Sequence, residues 1–317
     1  MKTNIKIPLV SVVVTTFNRK ELLKKTIDSI LNQTFTDFEL IVVDNYSEYN
    51  FLDFIKSFSN KKLIAFQNQN NGIIAVNRNF GIKKSKGKYI AFCDDDDCWD
   101  TEKLAKQIPY LIEKNVKGVG CVYSTIGGIG HVKTPSQKKI KNLKFEDVIK
   151  SNKLALSSLI IKKEPNYLFD EDRQFIGIED WYFQLNILYN TNSTIILLPE
   201  KLLYYRIHNQ NFSMNADQLK KGFIIIEMYK KYIKKSLYRN SKANLFFSMG
   251  IVNLLKSQRK KSLKYFINSF NQAHCFYLKS RSILMVVFSL FPALIQQKLL
   301  YYYGYNMKPT TFDYNLV

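Results

Sequence analysis

The last hundred residues of the 317-residue chain contain almost no acidic side chains. Positions 218–317 hold 17 Lys or Arg residues but only two acids, Glu227 and Asp313, so this stretch carries +15 of the formal net charge of +21. The first 217 residues are close to balance at +6. Because a basic segment attracts polyanions such as nucleic acid, anionic lipid or phosphorylated substrates, we assign the basicity to a C-terminal region with a partner of its own.

Long apolar runs and paired cysteines are also missing. The longest apolar run, positions 283–295, contains Ser289 and is interrupted by Pro292, whereas a membrane-spanning helix needs about 20 apolar residues. The first eight residues lack the apolar stretch of a signal peptide. Cys93, Cys98, Cys121 and Cys275 show no zinc-type spacing, which favours a reduced compartment. We therefore expect a cytoplasmic protein.

The segment Lys88–Trp99 carries the clearest chemical signal. An apolar strand pattern at 89–93 runs directly into four consecutive aspartates, Asp94 to Asp97. Carboxylates grouped at a strand end repel one another unless a cation lies between them. Mg²⁺ and Mn²⁺ prefer carboxylate oxygens together with phosphate and water. The run therefore indicates a metal site that handles a phosphorylated ligand; the alternative is a solvated acidic loop.

Strand and helix patterns alternate over the first 125 residues. Apolar and β-branched runs predict strands at 9–15, 38–44, 63–66, 89–93 and 120–124, and helical spacing predicts helices at 19–32, 53–58, 73–84 and 102–115. This alternation predicts a mostly parallel α/β sheet that binds ligands beyond the carboxyl ends of its strands. We further expect a loop at 125–141, strands at 154–162 and 194–198, and a second, helical region at 216–317 after a first domain at 1–215.

Eight short motifs in this order resemble the family-2 glycosyltransferases, which have the Rossmann-like GT-A fold of nucleotide-diphospho-sugar transferases. They lie at 12–19, 33–34, 39–44, 71–72, 78–81, 88–99, 179–181 and 205–208. The resemblance covers roughly Leu9 to His208. It implies a metal-dependent inverting transferase that moves a hexose from a UDP-sugar to a glycan or polyprenyl-diphosphate-linked hydroxyl. It also implies a β-linked product in a bacterial surface polysaccharide such as O-antigen or capsule.

The same resemblance implies a donor site. The residues implied to contact the nucleotide sugar are Thr16, Phe17, Asn18, Asp44, Arg78, Asp94 and Asp95, and those implied to bind Mn²⁺ or Mg²⁺ are Asp96 and His208. Asp44 would accept a hydrogen bond from the uracil imide, and Arg78 would approach the diphosphate. The residues alone leave alternatives open: Asp44 as a helix cap, Arg78 in a surface ion pair, and His208 as a structural histidine.

The acceptor side of the site is implied around the second acidic pair. Asp180 would be the general base that takes the proton of the acceptor hydroxyl, and Glu179, Trp181 and Trp99 would face the acceptor. Without the resemblance, Glu179 and Asp180 favour a helix N-terminus through the helix dipole, and both tryptophans fit a protein core equally well.

The basic C-terminal region mixes lysine pairs with aromatic and aliphatic residues. Short apolar helices with cationic flanks suit a membrane interface, where each basic residue near an anionic leaflet contributes about 1 kcal/mol. We therefore expect peripheral binding at the inner face of the cell membrane. The alternative is a solvated helical bundle whose apolar faces form a core or a dimer contact.

Two other functions fit parts of the sequence. A nucleotidyltransferase also uses acidic metal sites on α/β sheets, but residues 15–19 lack the glycine-rich phosphate loop that it needs. A nucleic-acid-binding protein fits the +15 region, but the apolar content of that region and the absence of a recognition motif favour the enzyme, and we expect no nucleic-acid partner.

Overall fold

The computed structural model describes residues 7–113, 116–127, 138–207 and 216–290. The strands in these ranges are β1 Val10–Thr16, β2 Phe38–Asp44, β3 Leu63–Gln67, β4 Tyr89–Asp94, β5 Cys98–Trp99, β6 Gly118–Ile126, β7 Lys141–Leu143, β8 Ile160–Lys162 and β9 Ile195–Arg206. The helices are α1 Lys20–Leu31, α2 Phe51–Lys56, α3 Ile74–Lys84, α4 Lys103–Glu113, α5 Phe145–Val148, α6 Glu179–Thr191, α7 Ala216–Met228, α8 Lys235–Leu255, α9 Arg259–Gln272 and α10 Phe276–Leu290.

The first four strands form the parallel half of the sheet, in the order β3-β2-β1-β4. β1 and β2 are buried at every position, as expected for parallel strands that are covered on both faces. The strand and helix pattern predicted for this half is confirmed, with bounds shifted by a few residues. The helix predicted at 53–58 begins earlier, at Phe51, because the Asn50 side chain caps its first turn by accepting a hydrogen bond from the Asp53 N–H at 3.2 Å.

The second half of the sheet is mixed and departs from the prediction at three places. Residues 154–162 were expected to form one strand, but 156–158 make a 3₁₀ turn and only Ile160–Lys162 pairs, antiparallel to β4 and β6. β9 is longer than expected: it continues through Pro199 to Arg206, and its pairing with β6 shifts register between Cys121 and Tyr123. The short strand β5, which was not predicted, pairs with β9 directly after the acidic run.

Gly81 of α3 sets how closely this helix packs on β1. A Cβ atom at Gly81 would lie 2.4 Å from Cγ1 of Val13, a residue that is 2% exposed. Valine is stiff about χ1 and cannot swing its methyl group away inside a filled core. The glycine is therefore required by close approach, although it lies inside a helix, where glycine is otherwise unfavourable.

We predict that Gly81→Ala lowers the free energy of unfolding by about 1–3 kcal/mol, because the added methyl overpacks the α3–β1 contact. The helix preference of alanine acts in the opposite direction by about 1 kcal/mol. Urea denaturation measures the net effect. Lys83→Ala, at an exposed position of the same helix, is the control and should stay within about 0.5 kcal/mol of the parent; a Gly81→Ala variant as stable as this control would contradict the packing account.

The chain divides into two compact units. Within the described residues, the first comprises 7–126, 138–144 and 154–206, and the second is made mainly of 145–153 and the helices α7 to α10. The helical character expected beyond 216 is confirmed as far as 290. Across the described part of the chain, every helix is too short or too polar to cross a bilayer.

Candidate functional site

The carboxyl ends of the four parallel strands lie side by side and are polar. In the sheet register Thr16 of β1 lies beside Asp44 of β2, Asp44 lies beside Gln67 of β3, and Thr15 lies beside Asp94 of β4. Because parallel strands end at the same edge of a sheet, residues up to 79 positions apart in sequence meet there. This is the edge at which open α/β sheets bind ligands.

The acidic run forms a tight turn that the protein holds from several sides. The Asp97 N–H donates to the Asp94 carbonyl at 3.2 Å, and the Asp94 N–H donates to Oγ of Ser157 at 3.0 Å. Arg206 donates its backbone N–H to Oδ1 of Asp97 and its Nε–H to the Asp96 carbonyl. Asp97 is fully buried, and burial raises the pKa of its carboxyl well above the usual range; this fourth aspartate therefore belongs to the support of the turn.

Arg19 lies against the middle of the run. Its Nη1 lies 3.0 Å from Oδ1 of Asp95 and 2.9 Å from Oδ2 of Asp96. The hydroxyl of Thr16 donates to the other oxygen of Asp95 at 2.7 Å. Burial raises the pKa of Asp95 to about 6 even though Arg19 acts to lower it. Both oxygens of Asp95 are thus used within the protein, so its predicted contact with the nucleotide sugar would have to displace one of these two donors.

Arg78 joins the acidic run to the start of α6. Its Nη2 lies 2.9 Å from Oδ1 of Asp94 and its Nη1 lies 2.6 Å from Oε1 of Glu179. The Arg78 side chain is only 6% exposed. Burial opposes the charge on Arg78, but Asp94, Glu179 and Asp180 outweigh it and raise the pKa of the guanidinium. Arg78 is therefore permanently charged and buried, and the alternative of a surface ion pair is wrong.

The second acidic pair begins α6 and its two members differ in environment. Glu179 is buried, and its Oε2 accepts a hydrogen bond from the Gly177 N–H at 2.7 Å while Oε1 holds Arg78. Asp180 is partly exposed, and its Oδ1 accepts from the Trp181 N–H at 2.7 Å. Asp180 is thus the member of the pair that solvent and a substrate can reach.

Asp44 and the loops around it form a connected frame. Asp44 is fully buried and accepts hydrogen bonds from the backbone and hydroxyl of Ser47 and from Nε2 of Gln67. Asn18, with a left-handed φ of 54°, accepts from the Glu48 N–H, and its own N–H donates to Ser47. Asp44 does not cap a helix, since Asn50 caps α2. Phe17 lies in the same loop and is 50% exposed.

The carboxylates at the strand ends fit a divalent ion whose other ligands come from the phosphate groups of a substrate. Within the ranges that the structure describes, no three His, Cys, Asp or Glu side chains converge into a metal site. Asp94 and Asp96 supply carboxylate oxygens at one edge, and Mg²⁺ often takes one or two carboxylates and completes its shell with substrate phosphates and water. The predicted ligand His208 lies outside the described residues.

The three residues predicted to face the acceptor are buried. Trp99 is 2% exposed and packs in the main core, where its indole N–H donates to the Ser157 carbonyl at 2.9 Å. Trp181 is 6% exposed and also belongs to the buried set. Glu179 is engaged on both oxygens. Contact of these residues with an acceptor stays a prediction.

Lys103 was missed by the sequence reasoning and lies directly on Trp99. Its Nζ is 3.9 Å from the centroid of the Trp99 ring and, within the described part of the chain, has no hydrogen-bond partner. The residue is fully buried, and burial lowers the pKa of its amine to about 8, although neighbouring Cys121 and Cys93 act to raise it. The signal was present in the spacing of α4, whose buried positions 103, 107 and 111 recur every four residues.

We predict that Lys103→Met gains stability relative to the parent at pH 7 and loses that advantage as the pH rises. Between pH 8 and about 10.5 the unfolded lysine holds a proton that the folded one lacks, so the parent becomes more stable with pH in this window, by up to about 3 kcal/mol in total. Urea denaturation from pH 7 to 10 measures the difference between the two proteins. Lys106→Met, at an exposed position of α4, should show a nearly constant difference; an equally constant difference for Lys103→Met would mean that the folded amine keeps an ordinary pKa.

The fold is that of the nucleotide-diphospho-sugar transferases. A mannosyltransferase from Pyrobaculum calidifontis, solved in complex with GDP-Man and Mn²⁺, matches with a TM-score of 0.60 at 14% identity, over 93% of this chain and 86% of that one. The predicted GT-A architecture, with a central, mostly parallel sheet and a helical C-terminal region, is confirmed.

The sequence comparisons assign the family. Residues 11–163 match the family model described as glycosyl transferase family 2. The poly(ribitol-phosphate) β-N-acetylglucosaminyltransferase TarP of Staphylococcus aureus (strain N315) is 30% identical over 271 residues, which cover 80% of this chain and 81% of that protein. The UDP-Glc:α-D-GlcNAc-diphosphoundecaprenol β-1,3-glucosyltransferase WfaP of Escherichia coli is 29% identical over 218 residues, 65% of this chain and 80% of that one. The chain belongs to glycosyl transferase family 2.

Proposed function

We propose that the protein is an inverting glycosyltransferase that moves a hexose from a UDP-sugar to a hydroxyl of a glycan or lipid-diphosphate-linked acceptor, forming a β-glycosidic bond in bacterial surface polysaccharide synthesis. The observation that carries the proposal is the bridge made by Arg78, which contacts Asp94 at 2.9 Å and Glu179 at 2.6 Å. It brings the acidic strand end and the first turn of α6 into one site. The names of TarP and WfaP, which describe β-transferases, support the same chemistry.

The donor would lie across the strand ends. We assign the uridine to the edge formed by Thr16, Phe17, Asn18 and Asp44, and its imide N–H to Asp44, whose turn would have to open because Ser47 and Gln67 now occupy its oxygens. Asp96 and His208, the two predicted ligands, would hold Mn²⁺ or Mg²⁺, and Asp94 would add a second carboxylate at the same edge. A divalent ion there supplies a Lewis acid that offsets negative charge on a departing diphosphate.

Asp180 is the base in this proposal. An acceptor hydroxyl becomes a good nucleophile only when a neighbouring group takes its proton, and a partly exposed carboxylate beside the donor site can do so. Glu179 is buried against Arg78 and fixes the first turn of α6, so it orients Asp180 without reaching the substrate. Attack from the side opposite to the leaving UDP inverts the anomeric centre, so an α-linked donor yields a β-linked product.

We expect Asp180→Asn to lower kcat by about 10²–10⁴-fold, the contribution typical of a general base, while UDP binding stays within about twofold. Turnover is measured with UDP-glucose and UDP-N-acetylglucosamine in the presence of Mn²⁺ and after chelation by EDTA, and binding is measured by calorimetry. Asp28→Asn, in an exposed ion pair of α1 with Lys24, is the control and should match the parent.

Retained turnover in Asp180→Asn would remove Asp180 as the base. Full activity after chelation would remove the metal from the proposal but leave the base assignment intact. Turnover of GDP-mannose in preference to the UDP-sugars would overturn the uracil assignment of Asp44.

We further propose that the helical unit binds the anionic inner face of the cell membrane through α10. Five large apolar side chains of this helix are 48–86% exposed: Phe276, Tyr277, Ile283, Leu284 and Val287. Their spacing in the sequence places them on one face of the helix. The opposite face packs inside the unit through Leu278, Ser282 and Phe288. At fifteen residues α10 is too short to span a bilayer, but it can lie in the interface plane.

The basic charge of positions 218–317 favours an anionic membrane as the partner of the exposed face of α10. Positions 218–317 carry 17 basic and two acidic residues, and a membrane with anionic lipids offers both a complementary surface charge and an apolar layer for the exposed face. A diphosphoundecaprenol-linked acceptor, as named for WfaP, would be presented at the same surface. We therefore place the enzyme at the cytoplasmic face of the membrane.

We expect the parent protein to float with vesicles containing phosphatidylglycerol at 150 mM salt, and Ile283→Ser/Leu284→Ser to lose most of this flotation, because two apolar anchors are removed. Ile112→Ser, which changes a residue of α4 that is 59% exposed, is the control and should float like the parent. Unchanged flotation in the double variant contradicts the role of α10. Loss of a dimer in ultracentrifugation, without any vesicle binding by the parent, would assign the face to a second copy instead.

A further inference from the structure

Arg19 takes part in the site in a way that neither the motif pattern nor the family assignment specifies. A single nitrogen, Nη1, donates to both Asp95 and Asp96, at 3.0 and 2.9 Å. The side chain is 35% exposed, and its Nε and Nη2 make no hydrogen bond within the described part of the chain. The guanidinium therefore offsets the charge of two carboxylates through one nitrogen and keeps further N–H donors that these two contacts do not use.

The position of Arg19 conflicts with a divalent ion on Asp96. Arg19 contacts the oxygen Oδ2 of Asp96, the carboxylate that would ligate the ion. An ion of charge +2 at that oxygen would lie within a few ångströms of the guanidinium, and like charges at such a distance repel strongly in a partly buried site. Arg19 and the ion therefore compete for Asp96.

The surroundings offer Arg19 a second partner once it leaves Asp96. Arg19 immediately follows residues 16–18, the loop at the end of β1 along which we place the nucleotide, and its backbone precedes the first turn of α1. A diphosphate in this place presents several anionic oxygens, and a guanidinium binds such oxygens with two parallel hydrogen bonds. Nε and Nη2, which the contacts with Asp95 and Asp96 do not use, are donors of this kind.

We propose that Arg19 is a resident counter-cation of the acidic run, which neutralises Asp95 and Asp96 in the free enzyme, yields Asp96 to the divalent ion and then binds the diphosphate of the donor. This inference rests on the proposed function. It makes the two ligands mutually dependent: the nucleotide attracts Arg19 away from Asp96, which opens the ligand for the ion, and the ion in turn frees Arg19 for the diphosphate. Such a coupling is reciprocal and typically changes affinities by about 5–150-fold.

The test measures binding of Mn²⁺ with and without UDP, by electron paramagnetic resonance of the free ion, and needs no turnover. In the parent, UDP should tighten Mn²⁺ binding by about tenfold or more. In Arg19→Met, Mn²⁺ should bind about tenfold more tightly than in the parent when UDP is absent, because its competitor is gone, and UDP should add little further. UDP itself, titrated in excess Mn²⁺, should bind less tightly to Arg19→Met than to the parent.

Two further variants keep the result interpretable. Arg19→Lys retains the charge without the planar fork, so its Mn²⁺ affinity without UDP should stay near that of the parent while UDP binding weakens. Arg173→Met removes an exposed arginine that, among the described residues, donates to the Asn71 carbonyl, and it should change neither affinity. Circular dichroism and thermal unfolding check that each variant is folded. If Arg19→Met does not fold, the comparison of Arg19→Lys with the parent tests the inference.

The outcomes separate this inference from the proposed function. Binding of UDP and Mn²⁺ by the parent, with Mn²⁺ affinity in Arg19→Met unchanged or weaker in the absence of UDP, overturns the counter-cation and leaves the donor site standing. An unchanged dependence of Mn²⁺ binding on UDP in Arg19→Met overturns it as well. Absence of UDP binding by the parent under all conditions removes the proposed function, and this inference with it.

Discussion

The site depends on the ion pairs of Arg78. This buried guanidinium contacts Asp94, 16 residues ahead in sequence, and Glu179, 101 residues ahead, and it is the direct link between the strand-end acids and the start of α6. Replacing a buried ion pair by apolar residues is often neutral for stability, whereas removing one partner leaves a buried charge without compensation. The arrangement therefore fixes the relative position of two acidic segments more than it stabilises the fold, and the position of Asp180 follows from it.

Four adjacent aspartates are tolerated because the protein supplies cations and donors to them. Arg19, Arg78 and Arg206 each contact the run, Thr16 donates a hydrogen bond to it, and Ser157 accepts one from its backbone. The expectation that a cation must lie among these carboxylates was correct in its physics, but arginines account for part of that charge without any metal ion. The four acids also separate by environment: Asp97 is buried as support, Asp95 is held by two donors, and Asp94 and Asp96 remain at the edge that a diphosphate would approach.

The sequence predicted the parallel half of the sheet well because local composition decides it. Buried β-branched runs specify β1, β2 and β4, and the polar residues that follow them mark the ligand edge. It failed where side chains compete with the backbone: Ser158 bonds back to the Ala155 carbonyl and Ser157 accepts from Asp94, which turns an apolar stretch into a 3₁₀ turn. It could not show that Trp99 and Trp181 are buried, since an aromatic beside acids has the same pattern whether it faces a sugar or the core.

Long-range pairing of charges is the part of the site that no local pattern contains. Arg19 was visible only as the last residue of a motif, and its contact with acids 76 and 77 residues away depends on β1 and β4 being neighbours in register. Once that register is given, Thr15 lies beside Asp94, and the first long cation after β1 necessarily falls near the acidic turn. Strand order thus brings a basic residue of no evident role against two carboxylates of the acidic run, and the chemistry of the edge is set by topology as much as by the acidic run itself.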